Sequence, residues 1–182
     1  MKQLSVALVA LCCTTAVLAA DLAIWTFETS VPSGGGTTSG PHAAEGGLNA
    51  GSPANGFHAL AATQWSNPTG NGSPESWSSN NWSVGDFYAF RTSTLGYESI
   101  TFSFDQTRSG TGPGTFDVEF SVDGGANWTT LVNDYTVLDN SAGNGGTWNN
   151  ANRILNYAFG PIAAPAAAAN QNEVIFRVVN QV

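Results

Sequence analysis

Apolar and polar residues alternate most strictly within residues 99–128. Ile100, Phe102 and Phe104 fall on one side of the chain, and Thr101, Ser103 and Asp105 on the other. Further on, Phe116, Val118, Phe120 and Val122 alternate with Asp117, Glu119, Ser121 and Asp123. A period of two sends every apolar member to one face of a β-strand, so both runs are predicted half-buried strands. Gly and Pro punctuate the join and the end. The same alternation recurs over 173–180, where Val174, Phe176 and Val178 oppose Ile175, Arg177 and Val179. It recurs over 86–93, where Phe87, Ala89 and Arg91 alternate with Tyr88, Phe90 and Thr92 and neither face stands out as buried.

Weaker patterns fill the rest. Residues 22–28 are apolar on both faces and predict a strand covered on both sides. Residues 129–138 predict a strand with Leu131 and Tyr135 inward, and 57–63 and 153–159 predict short strands. Residues 29–56 are rich in Gly, Ser and Pro and read as a long loop with a short strand near Leu48. Residues 64–85 and 139–152 are polar loops, and 160–170, with Pro161, Pro165 and a run of alanines, reads as a linker or a single helical turn. About eight short strands joined by turn-rich loops, with no convincing helix, predict a sandwich or barrel. Two packed antiparallel sheets are expected, with Ile100, Phe102, Phe104, Phe116, Val118, Phe120, Val174 and Phe176 in one core. The two strictly alternating strands either pair directly or face each other across it.

The N-terminus changes the address. Met1-Lys2, an apolar stretch to Val17 and the small residues around Ala19 have the order of an export signal, so residues 1–19 are predicted to be removed. Residues 20–182 then form a single domain. Cys12 and Cys13 leave with the signal, so the mature chain is predicted to have no thiol, disulfide or cysteine metal site. The net charge is −8 and the only lysine is Lys2, which leaves Arg91, Arg108, Arg153 and Arg177 as the mature cations. An acidic chain without a basic face argues against nucleic acid and against anionic membrane surfaces, and no apolar stretch is long enough to give the mature chain a membrane span. Neutral glycans and calcium remain open.

The order of motifs resembles the exported jelly-roll proteins of the bacterial PEP-CTERM class. The matching stretches are Ala23-Ile24-Trp25-Thr26-Phe27-Glu28, Asp86-Phe87-Tyr88-Ala89-Phe90, Ile100-Thr101-Phe102-Ser103-Phe104-Asp105, Thr111-Gly112-Pro113, Phe120-Ser121-Val122-Asp123-Gly124-Gly125 and Val174-Ile175-Phe176-Arg177. The resemblance implies an all-β, two-sheet antiparallel jelly-roll sandwich of the galactose-binding type, and no particular activity. The sequence departs from the class in having no Pro-Glu-Pro signal, apolar anchor or basic tail. Since members of the class usually continue into one more strand and a sorting tail, the domain is expected to be truncated at its C-terminus, leaving an open edge near residues 22–28.

Residues 121–128 fit the spacing of an Asp-box hairpin, Ser-x-Asp-x-Gly-x-Thr-Trp, with Asn127 in place of threonine. That hairpin resembles a turn of sialidases and other secreted β-proteins. Ser121, Asp123, Gly124, Gly125 and Trp128 are expected to make a structural turn, with the carboxylate accepting backbone N–H groups and the glycines at positive φ. One copy and scattered arginines do not support a sialidase. Asp105, Asp117, Glu119 and Asp123 suggest an acidic face, read first as solvated surface and alternatively as a glycosidase pair or calcium site. Glu28 and Asp123 are the calcium candidates. Jelly-roll carbohydrate-binding domains, which the fold would resemble, often hold such an ion. No other cofactor is implied. His42 and His58 lack partners at metal-ligand spacing, and no Gly-x-Ser-x-Gly elbow occurs.

Trp65, Trp77, Trp82 and Trp148 lie in or beside polar loops, where flat rings can stack on sugars or plug the end of a sandwich. The resulting expectation is a non-catalytic secreted or cell-surface protein with a structural or adhesive role. The alternatives are a carbohydrate-binding module for extracellular polysaccharide using these tryptophans and, behind it, a glycoside hydrolase with paired carboxylates.

Overall fold

A computed structural model describes residues 19–139 and 158–182. Residues 1–18 of the predicted export signal, Trp148 and most of the strand expected over 153–159 lie outside the described residues. The strands are β1 (Gly34–Gly35), β2 (Thr38–Ala43), β3 (Pro53–Phe57), β4 (Gln64–Ser66), β5 (Ser78–Ser79), β6 (Phe87–Thr92), β7 (Thr101–Asp105), β8 (Thr115–Ser121), β9 (Thr129–Thr136), β10 (Ala158–Ala163) and β11 (Val174–Asn180). The protein is all-β, a sandwich of antiparallel sheets. Its main layer is a six-stranded sheet in the order β2-β3-β6-β11-β8-β9. Opposite lies the pair β10-β7, and β1-β4-β5 forms a small sheet at one flank.

β11 runs through the centre of the main sheet because it is apolar on both faces. It pairs with β6 through Phe176↔Phe90 and with β8 through Phe176↔Phe120. Its inward residues Val174, Phe176 and Val178 join Phe116, Val118 and Phe120 of β8, Phe102 of β7 and Ile100 just before it in one core, with Phe104 and Leu131 packed against it. The core expected from the alternation is therefore the core observed, and β7 and β8 face each other across it. On the outer face Ile175 and Val179 are also buried. Arg177, between them, lies 3.8 Å from the Trp128 ring centroid and 5.3 Å from that of Phe87, and it pairs with Glu119 at 2.5 Å.

Four local expectations are corrected. Residues 22–28 do not form a strand: Ile24 makes an isolated bridge to Gly46, and Phe27 takes φ 62°. The chain is anchored there by a carboxylate instead of a ladder. Glu45 accepts the backbone N–H groups of Glu28, Thr29 (2.6 Å) and Ser30 (2.8 Å) and the Thr26 hydroxyl. The strand expected over 57–63 is displaced, since β3 ends at Phe57 and β4 begins at Gln64. Leu48 lies in a turn, with the strands of the long loop on either side of it. The alanine-rich stretch splits: β10 runs through Pro161, and only Ala166–Ala168 form a single 3-10 turn.

The outer strands of the main sheet are interrupted. β2 contains Pro41, which removes a donor from the edge, and its register shifts between Ser39 and His42. β9 carries two register shifts against β8, and Asp134 sits at φ 51°. Such irregularities discourage pairing with another chain. β7 is different. Among the described residues it pairs only with β10.

Candidate functional site

Between β7 and the N-terminal segment 19–27 runs a groove of about 1980 Å³. That is larger than the usual small-molecule pocket, about 300–1,000 Å³. Its apolar lining includes Tyr88 and Phe90 of β6 and the buried Phe176 and Val178 of β11. Trp77 and Trp82, on either side of β5, contribute rings, and Asn71, Asn80 and Asn81 contribute amides. Among the described residues the charged ones lining it are Asp21, Glu75, Glu98, Asp105 and Arg108. Arg108 is already paired with Asp139 at 3.7 Å, so the lining is acidic.

Among the described residues no strand pairs with the edge of β7 along this groove. Ala164 donates its N–H to the Ile100 carbonyl at 2.9 Å, and Ile162 is the register partner of Phe102. In an antiparallel strand the backbone groups of alternate residues point to opposite sides. Ile100, Phe102 and Phe104 therefore turn theirs toward β10, and Thr101, Ser103 and Asp105 turn theirs toward the groove.

The tryptophans converge rather than forming a flat row. Trp65 is buried and donates its indole N–H to the Gly36 carbonyl at 2.9 Å, so it offers no open face. Trp77 stacks on Tyr88, with centroids 4.3 Å apart and planes at 10°. Trp82 donates to the Ser79 carbonyl and packs edge-on against Phe116. Both line the groove, each with part of its surface committed to packing. The Trp77 indole nitrogen is buried without a hydrogen-bond partner.

Beneath these rings lies a polar array that sequence spacing does not reveal. His58 is wholly buried between Trp65 and Trp82, whose centroids lie 4.7 and 4.3 Å away. Its Nδ1 is 3.3 Å from Asp86 Oδ2 and its Nε2 is 3.0 Å from Ser79 Oγ. Burial lowers the imidazole pKa, against the opposing pull of the Asp86 carboxylate. A hydroxyl, an imidazole and a carboxylate in that order can activate a nucleophile. Here both carboxylate oxygens are engaged, by the N–H groups of Ala59 at 2.8 Å and Ser83 at 2.6 Å. Ser79 Oγ also lies 2.5 Å from the Tyr88 hydroxyl, in a group whose pKa is raised by burial. The array ties β3, β5 and β6 together. His58 and Asp86 are far apart in sequence, and nothing in their spacing links them.

The Asp-box residues form the expected hairpin. Asp123 Oδ1 accepts from Asn127 N–H at 3.0 Å and from the Ser121 hydroxyl at 2.7 Å, and Oδ2 accepts from the Asn127 amide at 2.7 Å. Gly124 and Gly125 take φ 73° and 91°. Hydrogen bonds from Asn127 and Ser121 lower the Asp123 pKa to about 2. Trp128 does not plug the turn alone: it covers Arg177 on the outer face.

The remaining acids are dispersed. Asp117 is buried and accepts the Asp134 N–H at 2.7 Å, Glu119 pairs with Arg177, and Asp105 stands on the opposite sheet, bonded to Asn71. Asp117 and Glu119 share the outer face of β8, as their spacing suggested, and Asp105 stands apart from them. Glu28 accepts the Glu75 N–H at 3.4 Å, far in the chain from the Asp123 hairpin. Among the described residues no cluster of three or more His, Cys, Asp or Glu side chains is placed to hold a metal ion. No helix there is long and apolar enough to cross a membrane. Comparison with protein-family models, curated proteins and solved structures gives no match.

Proposed function

We propose that the protein is a non-catalytic binding module of the extracellular space, structural or adhesive in role, which holds an extended partner in the groove beside β7. The groove carries this reading: it is long, apolar in its floor and polar at its rim, and too large for a compact metabolite. The engagement of the carboxylates supports the absence of catalysis. Asp117, Glu119 and Asp123 each satisfy a fixed internal donor. The export-type N-terminus and the surface rich in hydroxyls and amides support an extracellular or cell-surface location.

Carbohydrate binding is the second reading. What favours it is the placement of the Trp77 and Trp82 rings along the groove with the Asn80 and Asn81 amides.

Retention on immobilised neutral polysaccharides and fibrous matrix proteins tests the proposal, comparing the wild type with a groove-filling Ala23→Trp variant. The expected result is retention that Ala23→Trp abolishes, with the polymer unchanged in length. Shortened products would assign hydrolysis instead. Retention that survives Ala23→Trp would move the site out of the groove.

A further inference from the structure

We infer that the groove-side edge of β7 is a strand-addition site for an extended peptide of a partner protein, one that alternates apolar with lysine or arginine residues. The inference rests on the binding-module reading above and names its ligand class. It follows from three features that coincide in one place.

The first is the edge itself. Among the described residues no strand pairs with the groove side of β7, where Thr101, Ser103 and Asp105 direct their backbone groups. β7 has no proline or positive φ within it, whereas β2 and β9 are interrupted. Unpaired backbone of this regularity is a template for another strand.

The second is the floor. A strand laid against β7 would continue its pleat, so every second side chain would point the way Phe102 and Phe104 point. Those side chains would meet the rings of Trp77 and Trp82, which line the groove and pack over Tyr88. An apolar residue at each alternate position fits there.

The third is charge. Asp21, Glu75, Glu98 and Asp105 stand along the groove, and among the described residues the one cation lining it, Arg108, is already in an ion pair. An acidic rim selects a cationic strand and steers it in at low salt. It also disfavours a second copy of this chain, which carries net charge −8.

The test uses the full chain and a synthetic alternating Val-Lys peptide about nine residues long, enough to run the length of β7. Binding is read by isothermal titration and by cross-strand NOEs to Thr101 and Ser103. The peptide is expected to bind, to weaken as salt is raised, and to lose about tenfold in affinity against Ser103→Pro. Proline is tolerated at that position because its N–H faces away from β10. Should that variant fail to fold, the pair Glu98→Lys and Asp105→Lys serves: it is expected to reject the Val-Lys peptide and accept Val-Glu. Equal binding of a composition-matched block peptide, or indifference to both variants, would overturn strand addition. A groove that takes neutral glucan and no peptide would overturn it too, while leaving the binding-module reading intact. A groove that takes neither would overturn both.

Discussion

The ring of Phe102 lies flat on that of Phe176, with centroids 4.9 Å apart and planes at 4°. Phe102 comes from β7 and Phe176 from the central strand of the opposite sheet, so this pair fastens one layer of the sandwich to the other. Phe176 also meets Phe120, and Phe102 meets Phe90. Removing a ring from the middle of such a stack leaves a cavity that its neighbours cannot close. Phe176→Ala is expected to cost about 3–5 kcal/mol in urea unfolding, the usual range for a buried phenylalanine. Phe104→Ala, at a half-buried site, should cost less.

Arg177 is the polar residue in the middle of an otherwise apolar strand, and its guanidinium is held by the Glu119 carboxylate below and the Trp128 ring above. Truncating it leaves a partly buried carboxylate without its partner. Arg177→Met is expected to cost about 2–3 kcal/mol. A double-mutant cycle with Glu119→Gln should return a coupling of about 1–3 kcal/mol. Additive effects would mean that the pair contributes packing alone.

The buried histidines set a pH dependence. His58 and His42 both have pKa values lowered by burial from 6.5. The unfolded chain then takes up protons near pH 6.5 while the folded chain does not. Stability is therefore fully present above about pH 6.5 and declines as pH falls toward the lowered folded values. Thermal unfolding across pH 5–8 should show Tm falling on the acid side, and His58→Gln should flatten the slope. A Tm independent of pH in that window would mean that His58 keeps its ordinary affinity for protons.

The Asp123 hairpin adds a second acid-sensitive element. Its carboxylate, held at about pKa 2 by Asn127 and Ser121, ordinarily titrates near 3.8. Its contribution is present above that value and is lost as pH falls toward 2. Asp123→Ala should lower Tm at neutral pH and bring it closer to wild type near pH 2. An unchanged Tm at neutral pH would remove the structural role of this carboxylate.

Residues whose alternation is one-sided were legible in the sequence. β7 and β8 carry a period of two through a packed core, and their inward residues follow directly from it. The N-terminal stretch 22–28 misled because apolar residues on both sides look the same whether a ladder or a single carboxylate holds the chain. Glu45, the residue that decides it, lies outside that stretch and has no pattern of its own. The His58–Asp86–Ser79 array was hidden for a related reason: it is assembled at three strands from residues distant in sequence, none of which carries a pattern that points to the others. The groove is harder still, because its lining is gathered from β6, β7, β11 and the N-terminal segment. Periodicity assigns a residue to a face and carries no information about what lies over that face.

Amide hydrogen exchange at β7 tests the open edge most directly. Phe102 and Phe104 direct their N–H groups to β10, while Thr101 and Ser103 direct theirs into the groove. In the isolated protein, exchange at Phe102 and Phe104 should be slow and exchange at Thr101 and Ser103 fast, in strict alternation. Slow exchange at all four would contradict this arrangement, because the groove side of β7 would then already be paired.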